Sequence, residues 1–193
     1  MLRGASQHRS KLLAAPGVRQ DTAAVPAADA AALWEQLAQD GAALGLQPAG
    51  LGARDTLRLE SAMPLYGHEL DENTNPLEAG LEFAVSWNDT NGKNRDFIGS
   101  EALTEFKKTG IQRQRVGLLT DGKRPAREGY AVFGDGKEVG IITSGTYSPT
   151  LEQPIAMAYL PTLYATTGQQ LEVDIRGKLT PATVCNLPFY KRI

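Results

Sequence analysis

The chain has 193 residues, 41% of them hydrophobic, and a formal net charge of -2, which describes a globular protein of one large or two small domains. It is too weakly charged to have nucleic acid as its main partner, and no apolar run approaches the roughly 20 residues of a helical membrane span. One cysteine, Cys185, excludes an internal disulfide framework and fits a reducing compartment, and two histidines, His8 and His68, cannot build a histidine metal cluster.

Met1 to Gln20 carries Arg3, Arg9, Lys11 and Arg19 and no acid. Such a composition belongs to a transit peptide or to a basic tail, and residues 1–26 are read here as an unstructured basic segment. From Pro26 the pattern turns helical. A first helix is predicted over Ala27–Asp40, with Leu33, Trp34 and Leu37 on one buried face and Gly41 as a left-handed stop. A second is predicted from about Ala49 to Glu60, dense in the charges Arg54, Asp55, Arg58 and Glu60. Asp55 and Arg58 lie one turn apart and can pair. A buried arginine here requires a partner, which is Asp55, Glu60 or the carboxylate of a ligand. The opening Gly50-Leu51-Gly52 offers backbone N–H groups to an anion, but the third glycine and the preceding strand of a dinucleotide fingerprint are missing.

Asp71, Asn73, Asn75 and Glu82 match the ligand spacing of a calcium-binding loop, yet Pro76 stands where that loop needs glycine. The segment is therefore read as a polar turn before a strand, Leu81–Trp87, with Phe83, Val85 and Trp87 on one face. A turn-rich loop with Asn91-Gly92 at its tip follows, then a short helix over Ser100–Lys108, capped by Ser100 and stopped by Gly110.

Beyond Gly110 the chain becomes a series of short strands. They are predicted at Gln114–Leu119, Tyr130–Phe133, Glu138–Thr143, Ile155–Leu160, Leu171–Ile175 and Pro181–Asn186, with hairpin turns at Gly134-Asp135-Gly136 and Arg176-Gly177. This spacing argues for a small antiparallel barrel or sandwich. Thr143 to Pro149 is read as a hydroxyl-rich loop that satisfies its own backbone or faces a partner. Cys185, in a strand-like run, is read as a buried inert thiol. A serine-hydrolase reading fails, because no G-x-S-x-G elbow occurs.

The run Gly50 to Glu60, followed by Met63-Pro64-Leu65-Tyr66-Gly67-His68-Glu69-Leu70, resembles the aminomethyltransferase (T-protein) of the glycine cleavage system. Pro76 to Leu81, Asp96 to Gly99, Arg113 to Leu118, Gly140 to Gly145, Ser148 to Leu151 and Leu187 to Arg192 continue the resemblance in order. It covers about Ala27 to the end. The resemblance implies an α+β fold: the C-terminal part of an α/β-sandwich folate-binding domain over residues 27–110, then an antiparallel β-barrel over 111–193. It also implies transfer of a methylene group from the aminomethyl-lipoyl arm of a carrier, the H-protein, to tetrahydrofolate, with release of ammonia. Arg54 matches a family arginine that holds the folate, and Tyr190 and Arg192 match a C-terminal segment reaching the same ligand. The physical role is sensible, since arginine's planar fork suits the carboxylates of the folate tail.

Members of this family are much longer, and the resemblance reaches only their C-terminal half. The expectation is a chain with negligible transferase activity alone, since the acid that assists at the folate nitrogen and the glutamate that recognises the pteridine find no match here. Two rival readings stay open: a non-catalytic folate- or carrier-binding module, and a domain related to those of dimethylglycine and sarcosine dehydrogenases. The expected compartment is the cytoplasm, with the mitochondrion as the alternative.

Overall fold

The computed structural model describes residues 24–191. The basic segment before residue 24 and the predicted ligand contact Arg192 lie outside the described residues. Contacts divide the described residues into two units, 24–54 and 55–191.

In the first unit Pro26 opens a single 3-10 turn, Ala27–Asp29, which runs into helix α1 (Ala30–Ala42). The helix continues past Gly41, and the left-handed residue is Gly45 instead. The expected buried face is corrected as well. Trp34 and Leu37 are more than half exposed, and α1 buries no side chain. An apolar stripe at helical spacing is buried only when another element covers it.

Helix α2 (Leu51–Glu60) begins in the first unit and ends in the second. Its last turn is fully engaged: Arg58, Leu59 and Glu60 are all buried. The strap that follows, residues 61–81, is held by turns. Asn75 Oδ1 accepts the N–H groups of Leu77 and Glu78, and Asp71 Oδ1 accepts that of Asn73. Two of the four side chains that mimic calcium ligands, Asp71 and Asn75, are thus occupied in shaping the backbone, and a third, Glu82, pairs with Lys107.

The predicted strand Leu81–Trp87 does not form. Glu82–Ala84 is a 3-10 turn, and Phe83 is three-quarters exposed. Only an isolated bridge, Asn88 with Asn94, follows it. Alternating apolar residues need a neighbouring strand to make them a sheet face, and no described strand lies alongside. Helix α3 (Ser100–Thr109) ends at Gly110 as expected, but Gly99, not Ser100, occupies its N-cap. Its Lys107 pairs with Glu82 at 2.5 Å and sits over the Trp87 ring.

The rest is a closed antiparallel barrel of six strands: β1 (Arg113–Thr120), β2 (Ala131–Gly134), β3 (Lys137–Ser148), β4 (Gln153–Pro161), β5 (Gln170–Asp174) and β6 (Leu179–Cys185). Around the wall they run β1-β4-β3-β2-β5-β6. The two tight hairpins fall where predicted. Asp135 and Gly136, and likewise Arg176 and Gly177, have positive φ, the conformation that matches a two-residue turn to the twist of its strands. Val116, Leu118, Val132, Ile142, Leu171, Val173 and Val184 fill the interior.

Strand β4 is buried on both faces. Ala156, Ala158 and Leu160 point into the barrel, while Ile155 and Met157 join Leu59 and Ala62 in a second apolar cluster outside it. Leu187 and Phe189 of the C-terminal segment close over that cluster. This double burial explains why Ile155 to Leu160 reads as a continuous apolar run rather than an alternating one.

Candidate functional site

The end of α2 is fastened to the barrel by buried charge. Arg58 is the centre. Its Nε and Nη2 reach Asp55 Oδ1 at 2.7 Å, Nη1 reaches Glu69 Oε2 at 2.9 Å, and Nη2 donates to Ser144 Oγ at 2.9 Å. Glu69, with its side chain wholly out of water, also accepts the Leu65 N–H at 3.0 Å and the Thr143 hydroxyl at 2.8 Å. No buried side-chain polar atom of this group lacks a partner, which is the condition under which charges tolerate burial.

Glu60 makes a second fastening. Its carboxylate accepts the Ser148 hydroxyl at 2.5 Å and the Thr150 hydroxyl at 3.0 Å. Arg115 makes a third, donating to the carbonyls of Ala79 at 2.9 Å and Ala62 at 2.7 Å. Burial pulls its guanidinium below the ordinary range, and the neighbouring Tyr159 and Glu69 oppose that.

The hydroxyl-rich stretch is therefore not a loop. It is the second half of β3, displaced by a bulge at Ile142–Ser144, and its Thr143, Ser144 and Ser148 serve the charges of α2 and the strap. Sequence reasoning found the Asp55–Arg58 pair but missed Glu69 and the three hydroxyls. No local spacing connects Arg58 to Ser144, because the fold alone brings them together.

The predicted ligand residues behave differently. Arg54 is exposed, and among the described residues its side chain makes no hydrogen bond or ion pair. The alternative pairing of Arg54 with Asp55 or Glu60 is not realised, since Arg58 takes the first and hydroxyls take the second. Tyr190 is 42% exposed, and its N–H donates to the Glu60 carbonyl at 2.9 Å.

Among the described residues, two of the cavities open on the barrel. One, of about 440 Å³, lies between the loop after β1 and the β5–β6 hairpin and is lined by Lys123, Arg124, Arg176 and Lys178, with Asp121 its one acid. Among the described residues none of these four cations forms an ion pair. The other, of about 360 Å³, is bordered by His68, Arg113, Thr143 and Tyr159, with His68 Nδ1 3.0 Å from Glu128. Burial pushes the Tyr159 hydroxyl up to about 12, and it donates to the Glu69 carbonyl. No group of residues suited to a metal ion occurs among the described residues, and no described helix is long and apolar enough to cross a membrane.

Two family models match the chain: the glycine cleavage T-protein C-terminal barrel domain over residues 113–191, and the GCVT N-terminal domain over residues 23–89. The chain belongs to the glycine cleavage T-protein family. Similar T-protein relatives include the aminomethyltransferase of Synechococcus elongatus, 53% identical over 167 residues, which are 86% of this chain and 43% of the relative. That of Nostoc sp. is 55% identical over 159 residues, 82% of this chain and 40% of the relative. Among solved structures, the glycine cleavage system aminomethyltransferase T of Bartonella henselae matches with a TM-score of 0.75 and 34% identity, over 86% of this chain and 45% of that one. The chain thus spans less than half the length of the T-proteins it matches. The likeness extends through the barrel and the α2 region, so the α+β fold with a C-terminal barrel is that of the family.

Proposed function

We propose that this chain supplies the α2 region and the barrel of an aminomethyltransferase, which takes a methylene group from the aminomethyl-lipoyl arm of the H-protein and passes it to tetrahydrofolate with release of ammonia. The division proposed is a folate-binding part over residues 27–110 and a barrel part over 111–193, preceded by the basic segment 1–26. The observation that carries the reading is Arg54. It stands exposed on a helix whose next turn is pinned by buried charge, and among the described residues its guanidinium pairs with no acid. Such a group suits a carboxylate of the folate tail, and a hydrogen bond to a charged partner contributes about 1.5–3 kcal/mol. Tyr190 and Arg192 are proposed as further contacts to the same ligand.

The cationic cleft at Lys123, Arg124, Arg176 and Lys178 is proposed as the face that meets the carrier, because unpaired cations around a cleft attract an acidic surface. A reducing compartment, the cytoplasm, accords with the lone unpaired Cys185.

Calorimetric titration of the purified chain with tetrahydrofolate, run beside Arg54→Ala, tests the reading. Binding by the parent that weakens at least tenfold in the variant supports Arg54 as a ligand contact. A parent that binds no folate defeats the proposal that these residues form a ligand surface by themselves. A turnover assay with carrier and folate addresses activity separately, with negligible turnover expected of this polypeptide alone.

A further inference from the structure

Glu60 is an unusual residue to bury. It is 3% exposed and closes the last turn of α2, where the negative end of the helix dipole disfavours a carboxylate. No ion pair compensates it among the described residues. Two hydroxyls, Ser148 and Thr150, and the more distant Thr150 N–H at 3.4 Å take its oxygens, and Ser148 Oγ in turn accepts the Leu151 N–H at 3.0 Å. Neutral donors alone hold the carboxylate, so no opposite charge offsets the cost of taking it out of water. Removing it would leave the Ser148 and Thr150 hydroxyls without their acceptor. Its effect is geometric: it locks the last turn of α2 to the β3–β4 connection.

That turn holds something else. The final carbonyls of a helix have no intrahelical donor, and the Glu60 carbonyl is taken by the N–H of Tyr190 at 2.9 Å. Leu187 and Phe189 pack on the same cluster as Leu59, and Gly117 makes room for them: a Cβ there would meet Leu187 at 2.8 Å and Phe189 at 2.9 Å. One residue thus joins the β3–β4 connection through its side chain and the C-terminal segment through its backbone.

We propose that Glu60 is a positioning residue for the ligand contact at Tyr190. It fixes the main chain at Tyr190, and hence the face this half-exposed side chain presents to the folate. The inference rests on the assignment of Tyr190 to the folate made above.

The test combines amide exchange across residues 187–191 with tetrahydrofolate affinity in the full chain carrying Glu60→Ala or Glu60→Gln. In the alanine variant, exchange at the Tyr190 amide is expected to rise at least tenfold and Kd at least tenfold, with exchange in β1 and β4 unchanged. Glutamine should restore both to within about threefold, because its carbonyl accepts from Ser148 and its amide donates to Thr150. Parental folate affinity in Glu60→Ala, or a glutamine variant no better than alanine, overturns the proposal. If Glu60→Ala does not fold, Thr150→Val removes one donor only and should raise both readouts at least threefold; no change there also overturns it. A parent chain that binds no folate instead brings down the assignment of Tyr190 and the ligand part of the proposal with it, while the exchange data still decide whether Glu60 anchors the segment.

Discussion

The Arg58 guanidinium meets the Glu69 carboxylate at 2.9 Å, with 9% of the first side chain and none of the second left in water. Eleven residues separate them, and everything between is folded back so that they can meet. Breaking a buried pair by removing one partner strands a charge, which costs about 3–5 kcal/mol. Glu69→Ala is therefore expected to lower stability by about that amount, since the Leu65 N–H and Thr143 hydroxyl lose their acceptor as well. Urea unfolding of the single variants and of Arg58→Met/Glu69→Ala measures the coupling. A double variant as unstable as the sum of the singles would show that the pair does not act as a unit.

How far the sequence reveals this arrangement depends on whether the determining contact is local. The hairpins at Asp135-Gly136 and Arg176-Gly177 were legible, because a two-residue turn with positive φ restricts its residue types. All six barrel strands were legible to within a few residues, except that β3 runs on to Ser148. That extension hid in plain polar residues, whose hydroxyls are buried by charges brought from α2. Leu81–Trp87 failed for the opposite reason: its alternation is local, but a strand is defined by a neighbour. The face of α1 failed likewise, since Trp34 and Leu37 carry the pattern without the cover. Of the candidate site, only the Asp55–Arg58 pair lay within one helix turn and could be read directly.

Alkali should weaken the barrel before it ionises it. Burial raises the Cys185 thiol from 9.0 to about 11 and the Tyr159 hydroxyl from 10.0 to about 12. Well below pH 9 both groups are protonated whether the chain is folded or not, so their raised values carry no penalty. Above it the unfolded chain releases protons that the folded chain retains, and stability falls with rising pH until the folded values are passed. Denaturant midpoints between pH 8 and 11 are expected to decline, with less decline in Cys185→Ala. Alkylation of Cys185 in the folded chain should be far slower than that of a free thiol, because the thiolate is scarce. Cys185 is half-buried rather than fully buried as the sequence suggested, and rapid labelling near neutral pH would contradict its raised thiol value.

Two glycine substitutions should move stability in opposite directions. A Cβ at Gly145 on β3 would collide with the Ala126 carbonyl, a backbone atom that cannot step aside without distorting the loop after β1. Gly145→Ala should cost at least about 1–3 kcal/mol. At Gly52, in the first turn of α2, a Cβ meets nothing within 4 Å. Gly52→Ala should strengthen the helix by about 0.5 kcal/mol by restricting the unfolded chain. Thermal melts with helix-sensitive dichroism distinguish the two. A neutral Gly145→Ala would mean that the close approach of β3 to Ala126 is not a constraint.

The four cations of the cleft yield a prediction about association that is separable from folding. Lys123 and Arg124 lie on the loop after β1, and Arg176 and Lys178 on the β5–β6 hairpin, so neither element depends on these side chains for its core. Reversing charge at an exposed interface acts mainly on encounter rate and salt dependence. Lys123→Glu/Arg176→Glu is expected to leave the melting temperature nearly unchanged while weakening association with the lipoyl carrier at least tenfold at low salt. Near 1 M salt the Debye length shrinks to about 3 Å, and the difference between parent and variant should largely vanish. Carrier binding followed by surface resonance at several salt concentrations tests this. Equal affinity at low salt would remove the cleft from the carrier interface. A loss that persists at high salt would point to a local distortion of the hairpin, because screening cannot rescue a misfolded turn.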